Sequence, residues 1–175
     1  MIRYIAFLRA VNVGGRVVKM AELKKMFTMP GFKNISTYIQ SGNVIFDSAE
    51  EDKSVLVKKI EAKLLKVLDY EVKVFLKTIP DIADIVKKNP FKEIKEDTML
   101  YVSFLSAKPE KEKVELIIPL QNENEQFRII NTEVYLLVKK GEYGNAIFSN
   151  NFFEKKLKLQ ATTRNWATIN KMLEL

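Results

Sequence analysis

Apolar and polar positions alternate along the first half of the chain in two periods, one typical of strands and one typical of helices. Apolar residues dominate positions 2–8 and recur at every second position over 71–77, as expected of strands. Two short segments joined through Ser41-Gly42 have the pattern of a hairpin. Apolar residues three or four positions apart indicate amphipathic helices. The predicted strands are 2–8, 34–39, 43–47 and 71–77, and the predicted helices are 19–29 and about 48–68.

Two pairs of polar residues predict where helices begin. Ser48 and Glu51 stand three positions apart ahead of the long helical segment, and such a pair can cap a helix N-terminus reciprocally. Thr78 and Asp81 have the same spacing ahead of a short helix that is expected to end near 89–90, where Pro restricts the preceding residue. Both pairs are therefore interpreted as capping boxes.

The order strand–helix–strand–strand–helix–strand over residues 1–89 predicts a ferredoxin-like α+β subdomain. Residues 90–175 begin the same order again after a linker near 89–97. Their last segment, 163–173, predicts a second helix where a closing strand would stand, so the second subdomain is expected to be βαββα with an extra C-terminal helix. The halves share an order of elements and no repeat of residues. The other predicted elements are strands at 99–105, 126–130 and 133–138 and helices at 111–118 and 151–157.

The predicted topology brings polar residues to one edge of the first sheet. In the strand order 4-1-3-2, the first and second strands run in the same direction and end at the same edge. Loop glycines there can approach a ligand closely, and the start of the first helix favours anions. We therefore predict a site for a small anionic or polar ligand, although most loop glycines serve only as connections. The predicted residues are Arg9, Asn12, Gly14, Gly15, Lys19, Tyr38, Gln40, Ser41 and Asn43.

A third polar segment lies close to the C-terminus. Thr162 or Thr163 can cap the last predicted helix, and Trp166 falls on its apolar stripe and is expected in the core. Arg164 and Asn165 point away from that stripe and have no evident packing role. We predict that these two residues contribute to the same ligand site.

Composition limits the chemistry that such a site could perform. The 175 residues include neither Cys nor His, which excludes disulfides, thiolate metal sites and Ser-His-Asp triads. No metal or cofactor is expected. An enzyme, the first alternative, would use Tyr38 or Lys19 as acid or base. No apolar run is long enough to span a bilayer and no signal peptide is evident, so we expect a cytoplasmic protein without membrane association. No oligomeric state is predicted.

Positive charge is concentrated in the first half of the chain. Residues 1–89 carry 16 Lys or Arg against 10 Asp or Glu, whereas residues 90–175 carry 13 against 12. Such an excess favours anionic partners, although many of these lysines fit solvated helix faces. Nucleic-acid binding through the first subdomain is the second alternative. Against it, the predicted strand 43–47 lacks the basic-Gly-aromatic signature of ferredoxin-like RNA-binding domains.

Three segments together resemble a known family. Leu-Arg-Ala-Val-Asn-Val-Gly-Gly at 8–15, Tyr-Ile-Gln-Ser-Gly-Asn-Val at 38–44 and Ala-Thr-Thr-Arg-Asn-Trp at 161–166 are similar, in order and spacing, to the family designated domain of unknown function 1697. The resemblance implies a bacterial cytosolic protein of α+β fold with ferredoxin-like subdomains, and it implies no activity. Many members have Gly where this chain has Ala10, and a Ser-Lys-Leu-like stretch where it has 146–148.

Overall fold

Eight strands form two four-stranded antiparallel sheets in the computed structural model, which describes residues 1–12, 15, 17–39, 41–142 and 146–175. The chain divides into two compact units, a first unit of residues 1–82 with Leu175 and a second unit of residues 83–174. The described residues also include six α-helices, so the coarser part of the α+β prediction, a fold that mixes helices with antiparallel sheets, is confirmed. No described helix is long and apolar enough to cross a membrane.

The first unit contains the elements that the sequence predicts, and its sheet has the order β2-β3-β1-β4. The first helix ends three residues earlier than expected, because Pro30 disfavours helical backbone at Met29. The elements are β1 (Ile2–Arg9), α1 (Met20–Met26), β2 (Phe32–Tyr38), β3 (Asn43–Ser48), α2 (Lys53–Leu68) and β4 (Lys73–Thr78), followed by α3 (Ile79–Lys87), which crosses into the second unit.

The two predicted capping boxes have opposite outcomes. The box at Ser48 is wrong, because α2 begins at Lys53 and its cap is Asp52, whose carboxylate accepts the Ser54 N–H at 2.8 Å. The box that begins α3 is confirmed. The Thr78 N–H donates to Asp81 Oδ2 at 2.7 Å, and the Asp81 N–H donates to Thr78 Oγ1 at 3.3 Å.

The sheet of the first unit is buried on both faces. Alternation along β1 places Tyr4, Ala6 and Leu8 in a core with α1 and α2. The residues between them, Ile5 and Phe7, are also buried. Strands buried on both faces have continuous apolar sequences, and this explains the uninterrupted apolar run that begins the chain.

The second unit has the strand order β6-β7-β5-β8, and its last strand corrects the sequence prediction. Residues 161–165 form a closing strand that pairs with β5, where a helix was expected, because β-branched Thr162 and Thr163 favour a strand. The last helix is capped by Asn165, and Trp166 is only half-buried, so its predicted core position is wrong. The elements are β5 (Thr98–Leu105), α4 (Lys111–Ile117), β6 (Glu125–Ile130), β7 (Glu133–Lys139), α5 (Asn150–Leu157), β8 (Ala161–Asn165) and α6 (Trp166–Lys171), with short 3-10 turns at 118–120 and 172–174.

The two sheets correspond in register at the end where the first strand of each unit finishes, although the sequence shows no repeat and a bulge in β2, between Lys33 and Ser36, has no counterpart in β6. Where the first strand of each unit ends, the Leu8 N–H donates to the Gly42 carbonyl at 2.8 Å, and the Leu105 N–H donates to the Thr132 carbonyl at 2.8 Å. The preceding Phe in each strand pairs with the first residue of the third strand. The outer strands, β4 and β8, also carry equivalent hydrogen bonds. Val74 pairs with Leu8, and its N–H donates to Glu61 at 3.0 Å. Ala161 pairs with Leu105, and its N–H donates to Glu154 at 3.0 Å. The units are thus equivalent in register at this end.

An ion pair across β1 and β3 makes a testable contribution to the stability of the first unit. Arg3 Nε lies 2.9 Å from Asp47 Oδ1, and Asn34 donates to Asp47 Oδ2 at 2.7 Å. The hydrogen bond from Arg3 is the main cause that lowers the pKa of Asp47. A carboxyl whose pKa is lower in the folded state stabilises the protein above its unfolded pKa, about 3.9, and this contribution is lost as pH falls through the folded value.

We therefore expect Asp47→Asn to reduce the loss of stability between pH 7 and pH 3, measured as the free energy of unfolding in urea. Asp97→Asn, at an exposed position, is the control and should leave the pH dependence as in the wild type. An unchanged pH dependence in Asp47→Asn would contradict this role of the ion pair.

Candidate functional site

The segment that follows β1 and the turn that follows β2 are in contact. A Cβ atom placed on Gly42 would lie 2.6 Å from Val11 Cγ1 and 3.1 Å from Leu8 Cβ, so the turn backbone lies directly against the start of the loop. The convergence of these segments, expected from topology, is present in the structure. We call residues 10–19 and 39–42 the first-unit edge. Val13, Gly14, Arg16 and Gln40 lie outside the described residues.

The loop of the first-unit edge is anchored at both ends. Val11 and Val18 are buried in the core, and the Tyr70 hydroxyl donates to the Val11 carbonyl at 3.2 Å. The Asn12 side chain joins the two ends, because its Oδ1 accepts the Val18 N–H at 2.6 Å and its Nδ2 donates to the Val18 carbonyl at 3.3 Å. Asn12 therefore holds the two ends of the loop together, and its contact with a ligand stays a prediction.

Asn43 has a comparable task in the turn. It is fully buried, and its Nδ2 donates to the Tyr38 carbonyl at 3.0 Å and to Ser41 Oγ at 2.8 Å. The amide that was expected to orient a ligand therefore closes the hairpin. Ser41 itself is exposed, so its hydroxyl lies at the surface of the turn.

The remaining predicted residues divide between the two faces of the sheet. Arg9 lies two positions after Phe7 in β1 and therefore on the same face of the sheet. Asn43 pairs with Phe7, and Tyr38 pairs with Asn43, so these paired residues also share that face. Alternation therefore places Arg9 and Tyr38 on the face opposite to α1 and α2. Lys19 is exposed and directly precedes α1, so it approaches the edge from the side of the helices. A ligand in contact with all three residues would have to span the end of the sheet.

Backbone strain occurs on both sides of this edge. Ala10, directly after β1, has φ 63°, and Ile39, directly after β2, has φ 48°. A residue with a Cβ in this left-handed region is disfavoured by roughly 1–2 kcal/mol, and a β-branched residue is rarer still. Strained residues cluster at functional sites, but they also occur at turns, bulges and helix ends. Among the described residues, four others with a Cβ have positive φ at such places: Asn34, Asp69, Asn131 and Lys158.

We expect Ala10→Gly to raise the free energy of unfolding by about 0.5–1 kcal/mol, because Gly adopts positive φ without steric cost. Urea unfolding monitored by circular dichroism measures the change. Ala62→Gly, at an exposed position in the middle of α2, is the matched control and should lower stability by about 1 kcal/mol. Destabilisation of similar size in both variants would contradict the strain assigned to Ala10.

The equivalent edge of the second unit is built with fewer residues. There, residues 106–110 connect β5 to α4 and residues 131–132 connect β6 to β7. The corresponding connections of the first unit are 10–19 and 39–42. The second unit forms the same register at this edge with shorter connections. The additional residues of the first-unit edge are therefore not required to connect the strands of the sheet. Loops that exceed what a scaffold needs frequently carry binding residues.

Arg164 and Asn165 have structural tasks within the second unit. Arg164 is 6% exposed, and its Nη1 donates to Thr162 Oγ1 at 2.9 Å and to the Thr163 carbonyl at 2.8 Å. Asn165 Oδ1 accepts the Thr168 N–H at 2.7 Å and caps α6. The expectation that these residues lack a packing role is wrong. Their contribution to a ligand site stays a prediction.

Sequence reasoning missed a buried carboxylate that accepts two backbone N–H groups. Glu125, the first residue of β6, is buried, and its two oxygens accept the N–H groups of Ile147 at 2.8 Å and Phe148 at 3.0 Å. It therefore fixes residues 147 and 148. An acidic residue at the start of an apolar strand was the only signal in the sequence.

The described residues contain other clefts but no cluster suited to a metal. A cleft of about 240 Å³ between α2 and β4 is bordered by Glu61, Leu65 and Lys73, and one of about 390 Å³ in the second unit by Asp97 and Lys139. Neither is lined by a residue of the predicted site. No group of three or more acidic residues among the described parts of the chain could hold a metal ion.

Two four-stranded antiparallel sheets with helices define a protein of mixed α and β structure. Comparison with known proteins places the chain in a family. A family model described as protein of unknown function DUF1697 matches residues 1–135, and the chain belongs to this family. The matched part includes 8–15 and 38–44 but not 161–166. A conserved bacterial protein from Streptococcus pneumoniae of known structure has 23% sequence identity and a TM-score of 0.72, over 99% of this chain and 97% of that one, a likeness in fold. No curated protein matches the sequence.

Proposed function

We propose that this protein binds a small anionic ligand at the first-unit edge. The supporting observation is the contrast between the two units. The second unit closes an equivalent edge with five and two connecting residues, 106–110 and 131–132, whereas the first unit uses 10–19 and 39–42. The ends of the longer loop are fixed by buried Val11 and Val18 and by the Asn12 amide, so the loop is an ordered part of the fold at both ends.

The charge of this part of the chain supports an anionic ligand. Residues 1–46 include seven Lys or Arg and a single acidic residue, Glu22. Such an excess raises the local concentration of anions. We propose Lys19, Arg9 and the Ser41 hydroxyl as contacts, with Tyr38 on the same face of the sheet as Arg9 and the exposed Gly15 backbone near the ligand. Asn12 and Asn43 act as positioning residues.

We also propose a ferredoxin-like fold for the subdomains 1–89 and 90–175, and a cytoplasmic location. The strand order of both sheets and the matching registers support the fold proposal. The closing strand β8 makes the second subdomain βαββαβ, followed by α6.

Thermal denaturation in the presence of anions tests the proposed function. The panel contains inorganic phosphate, pyrophosphate, nucleotides and phosphorylated sugars, because a ligand that binds only the folded state raises the melting temperature. The matched variants are Lys19→Gln and Lys111→Gln, which each remove a positive charge at the start of the first helix of a unit. We expect at least one anion to stabilise the wild type, with an affinity about tenfold lower in Lys19→Gln and unchanged in Lys111→Gln. No stabilisation by any anion, or equal losses in both variants, would contradict the proposal.

The enzyme and the nucleic-acid binder stay predictions that no described contact favours. Tyr38 and Lys19, the alternative acid or base groups of a Cys- and His-free enzyme, approach the edge from different faces of the sheet, so such an enzyme would use one of them and not the pair. Base stacking needs aromatic residues on an open sheet face. Phe7 and Phe75, on the face opposite to the helices, are buried.

A further inference from the structure

The backbone register shows which groups of β2 point away from its sheet. Adjacent residues of an antiparallel strand direct their N–H and C=O groups to opposite sides. Because the Gly42 carbonyl bonds to Leu8 of β1, the next residue, Asn43, directs its groups towards β2. Tyr38 pairs with Asn43 and therefore faces β3. The N–H and C=O of Thr37, one position earlier, consequently point outward from the edge of the sheet.

Side chains occupy some of the outward groups at the other three sheet edges. Among the outward-facing residues that the same phase argument identifies, Val74, Phe127, Ala161 and Thr163 each have a side-chain partner, whereas Leu76 of β4 and Ile129 of β6 have none among the described residues. Acidic or amide oxygens accept the N–H groups, and Arg side chains donate to carbonyls. The pairs are Glu61 with the Val74 N–H, Gln121 with the Phe127 N–H, Arg128 with the Phe127 carbonyl, Glu154 with the Ala161 N–H and Arg164 with the Thr163 carbonyl.

Thr37 is likewise without such a partner. In the described part of the chain, no side chain makes a hydrogen bond to its outward backbone groups. The neighbouring Ser36 and Ile39 are exposed, so this part of the edge is accessible. A bulge between Lys33 and Ser36 interrupts the strand before it, which limits the open stretch to its C-terminal half. Unpaired strand edges are templates for a further strand.

We propose that the C-terminal half of β2, around Thr37, pairs with an extended acidic segment of another protein, which adds a fifth strand to the first sheet. Strand addition takes its affinity from main-chain hydrogen bonds and its selectivity from alternating side chains. Exposed Lys33 lies on this strand, and exposed Lys24 and Lys25 lie on α1, which contacts β2. These cations favour an acidic partner. They repel a second copy of the same edge, since edge lysines discourage self-pairing.

A library of six-residue peptides with alternating acidic and β-branched residues is the probe. Thr37→Pro removes the outward N–H and leaves the bonds from Tyr38 and Ser36 to β3, because proline is tolerated at edge positions whose N–H is not part of the ladder. Thr37→Val keeps the N–H and is the matched control. Isothermal titration should identify peptides that bind the wild type. Their affinity for Thr37→Pro should be at least tenfold lower than for the wild type, and their affinity for Thr37→Val should be less than threefold lower.

A change in the peptide covers the possibility that Thr37→Pro perturbs the fold. N-methylation of the peptide nitrogens that face β2 should abolish binding to the unchanged protein, whereas N-methylation of the alternate nitrogens should not. No acidic binder in the library, or equal binding by both methylated forms, would overturn the proposal. The proposal does not depend on the anion site: Lys19→Gln should reduce stabilisation by small anions, and Thr37→Pro should reduce only peptide binding.

Discussion

Gly42→Ala is expected to lower the free energy of unfolding by about 2–4 kcal/mol, because two costs coincide at this turn. Gly42 has φ 74°, a backbone conformation that side chains with a Cβ rarely adopt, and the added methyl would lie 2.6 Å from Val11 Cγ1. Neither Val11 nor Leu8 can retreat easily, since both are buried in the core of the first unit. Urea unfolding followed by circular dichroism measures the loss.

Gly31→Ala separates the two costs. Gly31 has φ 89°, and no atom lies within 4 Å of an added Cβ, so only the conformational cost of about 1 kcal/mol applies. A loss of similar size in both variants would show that the turn does not press against Val11. The close approach of the turn at Gly42 to Val11 would then be contradicted.

Arg164→Ala is expected to lower stability by about 2–4 kcal/mol, because the substitution removes a buried side chain and its hydrogen bonds. The guanidinium group donates to the Thr163 carbonyl, which faces outward from the edge of β8, and to the Thr162 hydroxyl. Truncation would leave both acceptors without this donor in an environment where water has little access.

Arg128→Ala is the matched control. Arg128 donates to the outward Phe127 carbonyl at 2.8 Å, the same arrangement as at β8, but its side chain is exposed and water can replace it. The expected loss is below about 1 kcal/mol. If Arg164→Ala left stability unchanged and reduced anion binding, the assignment of Arg164 to the ligand site would be favoured instead.

Periodicity predicted most of the elements, and the failures have local causes. The first sheet could be predicted because each strand is bounded by Gly, Pro or a charged run, and its helices have apolar residues at helical spacing. The strand β8 was missed because Thr162 and Thr163 suit both a helix cap and a strand, and only pairing with β5 decides between them. The capping box at Ser48 failed for a similar reason, since Asp52 competes as a cap within the same stretch.

The position of the candidate site was predictable, and the tasks of its residues were not. Strand direction alone placed the ends of β1 and β2 together. By contrast, Asn12 and Asn43 bond to backbone groups whose positions depend on the path of the loop and the turn, and this path is not encoded in any local pattern. The shorter equivalent edge of the second unit was also hidden, because the two units share register and not residues.

The location of the binding site at the first-unit edge is tested most directly by nuclear magnetic resonance. Isotopically labelled protein is titrated with the anion that stabilises it most, and the amide chemical shifts are followed. We expect the largest changes at Gly15, Lys19 and Ser41, and none at the equivalent positions of the second unit, Lys111 at the start of α4 and Asn131 in the turn before β7. Changes centred on the second unit, or spread evenly over exposed lysines, would contradict a binding site at the first-unit edge.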